Sequence, residues 1–433
     1  MTDDFRELRA RVTWNGRSAT APGAVRVDER GVECADGPAG PLRVEHVDVA
    51  AIARGDLAVT LTLFDGGSVA FDKGGSLDDL WETLRRHFLA RVSASLRFAP
   101  ADPRHTFDAR VSLDGPGGFG PLPAQISAVR LGLNYLADGG PCAQLPFGAL
   151  GEPAFDAASY EVSVPLAPGP LAPPGAKLKI GRLARRTDEL ISLLKEARER
   201  SLADTARCLV ALMPALASGP RAALADEIRV GRMISREHCE AVAPGAWRAL
   251  WNAAAGADRE EYRDALESMS GGPGRLSLGM RPYGGTQPNA AGVDDAAPVA
   301  DDASSGDSAL PVVYVAALLP GASAEDDLLA LEVLSERDHA TYAYRVAPAS
   351  SGLSRDAAFA RLVAVASHTL LSIDFAKEPL YLPEAEAMSA RDGLYRAALH
   401  RLDNLREMRA RLAGRAIHSS AAAWRAQLEK LRR

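Results

Sequence analysis

Five cations lie close together in one short stretch of the chain, where their side chains could bind an anion. They are Lys177, Lys179, Arg182, Arg185 and Arg186, between a predicted strand and a predicted helix. Lysine and arginine donate strong hydrogen bonds to phosphate and carboxylate oxygens. This basic patch is therefore the candidate binding site for an acidic peptide or an anionic headgroup. The alternative is a solvated loop.

One glycine-rich motif matches the letters of a dinucleotide-binding loop. It is GPGGFG, Gly115–Gly120, and it follows a predicted strand. A dinucleotide loop must open a helix whose N-terminus holds the pyrophosphate. Here Pro121-Leu122-Pro123 and a strand-like run follow instead. We therefore interpret the motif as a flexible turn and predict no cofactor.

Residues typical of metal or nucleophile chemistry are scattered along the sequence. The eight histidines include no pair at i, i+4, and the neighbours His238 and Cys239 would point to different sides of a helix. Gly-x-Ser-x-Gly and the P-loop are absent from the sequence. No metal site and no catalytic residue is predicted. A site assembled from distant residues of the last domain, such as His368, Asp374 and Glu378, remains the enzymatic alternative.

Composition limits the compartment and the class of partner. The 433 residues carry a net charge of −6, which argues against a chain-wide nucleic-acid surface. The stretch 401–433 nevertheless has nine Lys/Arg against three Asp/Glu, so nucleic-acid binding by basic C-terminal helices stays an alternative. The four cysteines are far apart, no apolar run reaches about 18 residues, and the N-terminus is charged. These features predict a cytoplasmic protein with free thiols.

The elements that precede the basic patch repeat an order found earlier in the chain. Leu57–Lys73 alternates apolar and polar residues around Asp65-Gly66-Gly67, which predicts a β-hairpin. Ser76 has the chemistry of an N-cap, and Leu80, Trp81 and Leu84 follow at helical spacing. The first unit is therefore several antiparallel strands followed by one amphipathic helix.

The second unit has the same order. Ser159–Leu166 and Ala176–Leu183 are predicted to form a hairpin, and Thr187 is predicted to cap the next helix. Leu190, Ile191 and Leu194 lie 110 residues after Leu80, Trp81 and Leu84. The pattern favours a structural duplication over one larger α+β domain.

This order resembles the pleckstrin-homology (PH-like) superfold, as a tandem pair over residues 10–200. The resemblance implies two small antiparallel barrels or sandwiches, each closed at one end by its C-terminal helix. Trp81 and Phe88 would lie on the apolar face of the first of these helices. It also implies recognition of proteins or lipids. The family usually places lipid-binding cations between its first two strands. The corresponding loops hold a mixture of charges, which favours a protein partner: Arg26, Asp28, Glu29, Arg30 and Asp138.

The rest of the chain is predicted to hold a helical segment and a third folded region. We expect PH-like units at 10–95 and 104–200, a helical segment at 201–270, and an α+β domain at 274–433. That domain would contain a four-stranded meander, a hairpin loop at Ser335–Asp338, and one helix running to Gly414. A disordered loop is predicted at 281–309, which has very few large apolar residues.

Together these features predict a non-catalytic binding or scaffolding protein of α+β class. Its predicted partner is a protein, with a phosphorylated lipid less favoured. The sequence assigns no oligomeric state.

Overall fold

The structure, a computed structural model, confirms a mixed α+β fold with several antiparallel sheets. It describes residues 6–19, 23–38, 40–72, 76–96, 103–115, 117–129, 131–167, 174–229, 231–256, 259–281, 311–334, 340–346, 352–372, 378–389 and 394–432. The predicted loop at 281–309 lies outside these residues apart from Arg281, and so does the predicted turn at 335–338. No helix in the described part is long and apolar enough to cross a membrane.

The first sheet has eight strands in the order β5-β4-β3-β1-β8-β7-β6, with β2 paired to β1. The strands are β1 (Arg6–Trp14), β2 (Arg17–Ser18), β3 (Gly23–Val27), β4 (Gly31–Gly37), β5 (Gly40–Glu45), β6 (Val49–Arg54), β7 (Ala58–Leu63) and β8 (Ser68–Asp72). The predicted hairpin is β7–β8, and Gly66 takes a positive φ of 86° in its turn. Val59, Leu61 and Leu63 are buried, as a half-covered strand requires.

The second sheet has seven strands in the order β12-β11-β10-β9-β15-β14-β13. They are β9 (Thr106–Asp114), β10 (Phe119–Val129), β11 (Gly132–Ala137), β12 (Cys142–Pro146), β13 (Ala154–Asp156), β14 (Glu161–Pro165) and β15 (Lys177–Gly181). Apart from β2, the strand order repeats that of the first sheet, with the first long strand between two meanders. Neither sheet closes into a barrel among the described strands, and both are compatible with small β-sandwich units.

Each sheet is followed by a helix that contributes to its core. Helix α1 (Leu77–Ser95) buries Leu84 and Phe88 against the first sheet, and α2 (Thr187–Leu212) buries Leu194 against the second. The Ser76 hydroxyl accepts the Asp79 N–H at 3.2 Å, so the predicted cap is confirmed.

The predicted cap at Thr187 is wrong. This residue already lies inside α2, and its hydroxyl donates to the Ala184 carbonyl at 3.0 Å. A 3-10 turn, Ala184–Arg186, leads directly into the helix, so no extended residue with a capping side chain precedes the first turn.

The third sheet has six strands, two more than the predicted meander, in the order β16-β17-β18-β19-β20-β21. The remaining elements are α3 (Ser218–Glu227), β16 (Met233–Ser235), α4 (Arg236–Val242), α5 (Ala246–Ala255), α6 (Glu260–Ser270), β17 (Leu276–Arg281), β18 (Val312–Leu319), β19 (Leu328–Leu334), β20 (Ala340–Arg345), α7 (Arg355–Ser372), α8 (Glu378–Tyr381), α9 (Glu384–Ser389), α10 (Leu394–Arg401), α11 (Asp403–Arg411), β21 (Leu412–Ile417) and α12 (Ala421–Arg432). The single helix predicted to run to Gly414 is therefore wrong. Leu402 is extended and separates α10 from α11, and Gly414 lies within β21.

Both faces of the third sheet are covered by helices, so its central strands β18 and β19 are buried at every position. On β18, Tyr314 and Ala316 face the cluster that contains α7, while Val313 and Val315 face the cluster that contains α5 and α6. Successive side chains of a strand point to opposite faces. This arrangement accounts for the continuous burial of Val312–Leu319.

Candidate functional site

The structure separates the five residues of the predicted basic patch. Lys177 and Lys179 lie on the outward face of β15, and the Lys179 Nζ is 2.7 Å from Asp114 Oδ2. The hydrogen bond with Asp114 raises the pKa of Lys179. Lys179 is therefore already neutralised within its own sheet.

Arg186 has a structural role. Its guanidinium pairs with Glu189 at 2.8 Å, donates to the Thr106 carbonyl at 2.7 Å, and lies 4.0 Å above the centroid of the Phe107 ring. Arg182 and Arg185 are exposed on either side of the buried Leu183. Anion binding by this segment stays a prediction, and it would depend on Arg182, Arg185 and Lys177.

The sheet face that carries the two lysines has a net charge of −1. The pairing of β9, β15, β14 and β13 places three cations and four carboxylates on the same side. They are Arg110, Lys177, Lys179, Asp108, Asp114, Asp156 and Glu161. A mixed face of this kind gives no electrostatic preference for an anionic membrane.

Several basic residues of the C-terminal stretch make contacts within the protein. Arg409 donates to the carbonyls of Pro379 at 2.7 Å and Leu382 at 2.9 Å. Arg411 pairs with Glu407 at 2.9 Å. These contacts hold helix α11 in place and reduce the charge available to a nucleic acid.

The last strand of the first sheet, β6, is covered by other parts of the chain. The Ile52 N–H donates to the Asp138 carbonyl, in the β11–β12 turn, at 2.8 Å. The buried guanidinium of Arg401, from α10, donates to the carbonyl of Val49 and, at 3.4 Å, to that of Ala50. An edge strand would otherwise leave such groups free to pair with another chain.

Helix α10 docks beside that edge through charge and ring contacts. Arg396 forms ion pairs with Glu45 and, at 2.8 Å, with Asp48. His400 stacks on Phe64 with ring centroids 4.4 Å apart. The first unit thus has its β6 edge and the 3-10 turn that precedes β6, His46–Asp48, occupied by the chain itself.

The corresponding strand of the second sheet, β13, is exposed along its whole length. Among the described residues, none hydrogen-bonds through its backbone to the outer edge of β13. We call β13, β14 and the turn between them, Ala154–Pro165, the edge hairpin. It displays two aromatic side chains, Phe155 at 45% and Tyr160 at 77% exposure, with ring centroids 6.1 Å apart.

The turn of the edge hairpin is held in one conformation. The Asp156 carboxylate accepts the Ala158 N–H and the Ser159 hydroxyl, each at 2.9 Å. These hydrogen bonds lower the pKa of Asp156. Tyr160 has a positive φ of 55°, which is uncommon outside glycine. The aromatic pair is therefore presented on an ordered turn.

Sequence interpretation did not identify this strand. Ala154-Phe155-Asp156 is only three residues long, too short for a period-2 pattern, and the predicted hairpin began at Ser159. An isolated aromatic in a polar stretch, followed by an Asp-x-x-Ser turn, is the one local signal that points to it.

Of the residues proposed for an enzymatic site, only His368 is described in full. Burial lowers its pKa to about 4. Asp374 and the side chain of Glu378 lie outside the described residues. In the described part of the chain, no three His, Cys, Asp or Glu residues are grouped in a way that could hold a metal ion.

A second histidine lies in a buried polar network below the third sheet. His418 Nε2 is 3.2 Å from Glu332 Oε2, and Thr341 bonds to both. Trp424 Nε1 donates to the Thr341 hydroxyl at 2.8 Å. The His418 and Glu332 side chains are only 4% and 2% exposed, so a substrate could not reach this pair. The arrangement joins β19, β20 and α12.

In the GPGGFG motif the predicted turn is seen at Gly115, Gly117 and Gly118, between β9 and β10, while Phe119 and Gly120 belong to β10. Gly117 has a positive φ of 74°. A Cβ at Gly118 would lie 1.9 Å from the Leu113 carbonyl oxygen, so the backbones approach too closely for any other residue.

No known family model and no curated protein matches this chain in sequence.

Proposed function

We propose that this chain is a non-catalytic binding protein that recognises a protein partner through the edge hairpin of its second unit. One observation carries the proposal: the last strand of the first sheet is covered by the chain itself, while the last strand of the second sheet is exposed. The two units share one strand order and differ at this edge, where a strand of a partner could pair.

The proposed architecture is a tandem of PH-like units within a cytoplasmic scaffolding protein. The repeated strand order supports it, as does the helix that follows each sheet. Fold alone does not give a function, so the binding surface has to be argued from its own residues.

The chemistry of the edge hairpin suits an extended protein segment. A partner strand can pair with the free edge through main-chain hydrogen bonds, and pockets or aromatics add specificity. Three residues give few hydrogen bonds, so Phe155 and Tyr160 would supply most of the contact area. The mixed charge of the neighbouring face, with four carboxylates and three cations, favours a protein over an anionic lipid.

The test compares capture from native lysate by the full-length protein and by matched variants. Phe155→Ser/Tyr160→Ser removes both aromatics, and Leu57→Ser removes an 80% exposed apolar side chain from the first unit as a control. After chemical crosslinking, we expect at least one captured protein to be joined to the edge hairpin of the wild type and of the control variant. The same protein should not be captured by the double variant. Unchanged capture, or crosslinks located elsewhere, would contradict the proposal.

A further inference from the structure

A cleft opens between the second unit, strand β16 and helix α7, which we call the α7 cleft. We propose that the α7 cleft binds a small, neutral, largely hydrocarbon molecule that donates one hydrogen bond to His368. The site is separate from the edge hairpin, and the inference does not depend on the proposed protein partner.

Most of the lining of the α7 cleft is apolar and comes from three parts of the chain, and its polar residues are Arg232, Ser235, Ser277, Asp356 and His368. The second unit contributes Leu145, Pro146 and Leu166, β16 contributes Met233, and α7 contributes Phe359, Ala360, Val363 and Ala364. The cleft volume is about 390 Å³. Small-molecule sites have volumes of roughly 300–1,000 Å³, with apolar walls and a few polar groups that fix orientation.

His368 is the most buried polar residue of the cleft lining, at 6% exposure. Burial lowers the His368 pKa to about 4, so the ring is neutral near pH 7. A hydrogen bond to the Gln144 backbone acts in the opposite direction and raises the pKa, as expected when a ring N–H donates to a carbonyl. A neutral imidazole that donates from one nitrogen offers the other as an acceptor.

The two charged side chains at the cleft have opposite signs and each has an oppositely charged neighbour, which favours a neutral ligand. Arg232 Nη2 lies 3.8 Å from Glu227, and Asp356 lies 3.6 Å from Arg275 Nε. An ionic ligand would compete with these neighbours and would meet one like charge at the cleft. Transfer of a charged group into an apolar site without a partner is strongly unfavourable.

The cleft is too narrow at Gly231 for a helix. Gly231 has a positive φ of 88°, and a Cβ there would lie 2.4 Å from Pro146 Cγ. The Gly231 backbone and the Pro146 ring, both part of the lining, are therefore in close contact. An α-helix with its side chains is about 10 Å wide and does not fit between them.

The experiment uses two fluorescent probes of nearly equal size, 1-naphthol and naphthalene, titrated into the full-length protein. We expect saturable binding of both, with 1-naphthol bound more tightly because its hydroxyl donates to His368. His368→Phe keeps the apolar volume and should abolish that preference. The expected loss is roughly 2- to 13-fold for 1-naphthol, the range of one neutral hydrogen bond, with naphthalene unchanged.

A second pair of variants tests the location. Ala360→Trp places an indole in the cleft from an exposed position on α7, and Ala357→Trp adds the same ring to an exposed position of that helix outside the cleft. We expect Ala360→Trp to abolish binding of both probes and Ala357→Trp to leave it intact, with equal thermal unfolding midpoints. Absence of saturable binding to the wild type, or binding that Ala360→Trp leaves unchanged, would overturn the inference.

Discussion

Arg85 of α1 donates from Nε to Oδ2 of Asp138 at 2.7 Å, so the helix of the first unit is tied to a turn of the second. The Asp138 side chain is 5% exposed and that of Arg85 is 20% exposed. The Asp138 carbonyl also accepts the Ile52 N–H of β6. Asp138 was predicted as a loop residue that argued against lipid binding. It is instead a contact that fixes the two units together.

A double-mutant cycle should show that this pair is strongly coupled. Arg85→Met and Asp138→Asn each leave one partner without its contact, so we expect a coupling energy of about 1–3 kcal/mol in urea unfolding. The matched control is Arg54–Asp78, at 2.8 Å, with the Asp78 side chain 81% exposed. Exposed pairs contribute about 0.2–1 kcal/mol. Equal coupling in both cycles would contradict a buried tie between the units.

Local pattern was enough to predict the longer elements. The period-2 alternation of β7, the Asp-Gly-Gly turn and the Ser76 cap depend on residues close together in sequence. The 110-residue offset between the leucines of α1 and α2 predicted their common role, because helix periodicity preserves which face is buried. These features could be predicted without knowledge of tertiary contacts.

The missed elements and the basic patch depend on tertiary contacts. Strands β13 and β16 have three residues each, and only pairing with β14 and β17 defines them. Strand β21 contains a glycine in a sequence that otherwise continues the helix pattern of α11. The partners of Lys179 and Arg186 are set by strand register and by the helix start, neither of which composition reveals.

The two residues predicted as helix caps, Ser76 and Thr187, should differ in their contribution to the free energy of unfolding. Ser76→Ala removes the acceptor for the Asp79 N–H and should cost about 1 kcal/mol in the free energy of unfolding. Thr187→Ala should cost less than about 0.5 kcal/mol, because that hydroxyl satisfies no helix N–H. Chemical denaturation of both variants beside the wild type is the measurement. Equal losses would show that Thr187 acts as a cap after all.

The duplicated helices should respond alike to truncation at matched positions. Leu84 and Leu194 are 0% and 1% exposed in their cores, so Leu84→Ala and Leu194→Ala should each cost about 2–5 kcal/mol. Leu202→Ala, on α2 but 40% exposed, should stay within about 0.5 kcal/mol. Denaturant unfolding checks all three. A small effect at either buried leucine would contradict an equivalent role for the two helices.

Two buried histidines should make the protein less stable as the pH falls. Burial lowers the pKa of both His46 and His368 to about 4, whereas an unfolded histidine titrates near 6.5. Between these values the unfolded state binds a proton that the folded state does not, so stability rises with pH across this window. From pH 7 to pH 5, each histidine should lower the free energy of unfolding by about 2 kcal/mol.

Carboxylates also titrate in this pH range. Comparing the pH-dependent change in the free energy of unfolding of the wild type with that of each variant therefore isolates the contribution of one histidine. His46→Phe removes the ring that bonds to the Asp28 carbonyl at 2.9 Å, and His368→Phe removes the ring that bonds to the Gln144 backbone. Urea titrations at pH 7 and pH 5 should show each variant losing about 2 kcal/mol less than the wild type over that interval. His105→Phe, in the 3-10 turn Pro103–His105 where His105 is partly exposed, serves as the control substitution outside the two buried sites. A wild-type loss that neither buried substitution reduces would mean that both rings are protonated in the folded protein at pH 5.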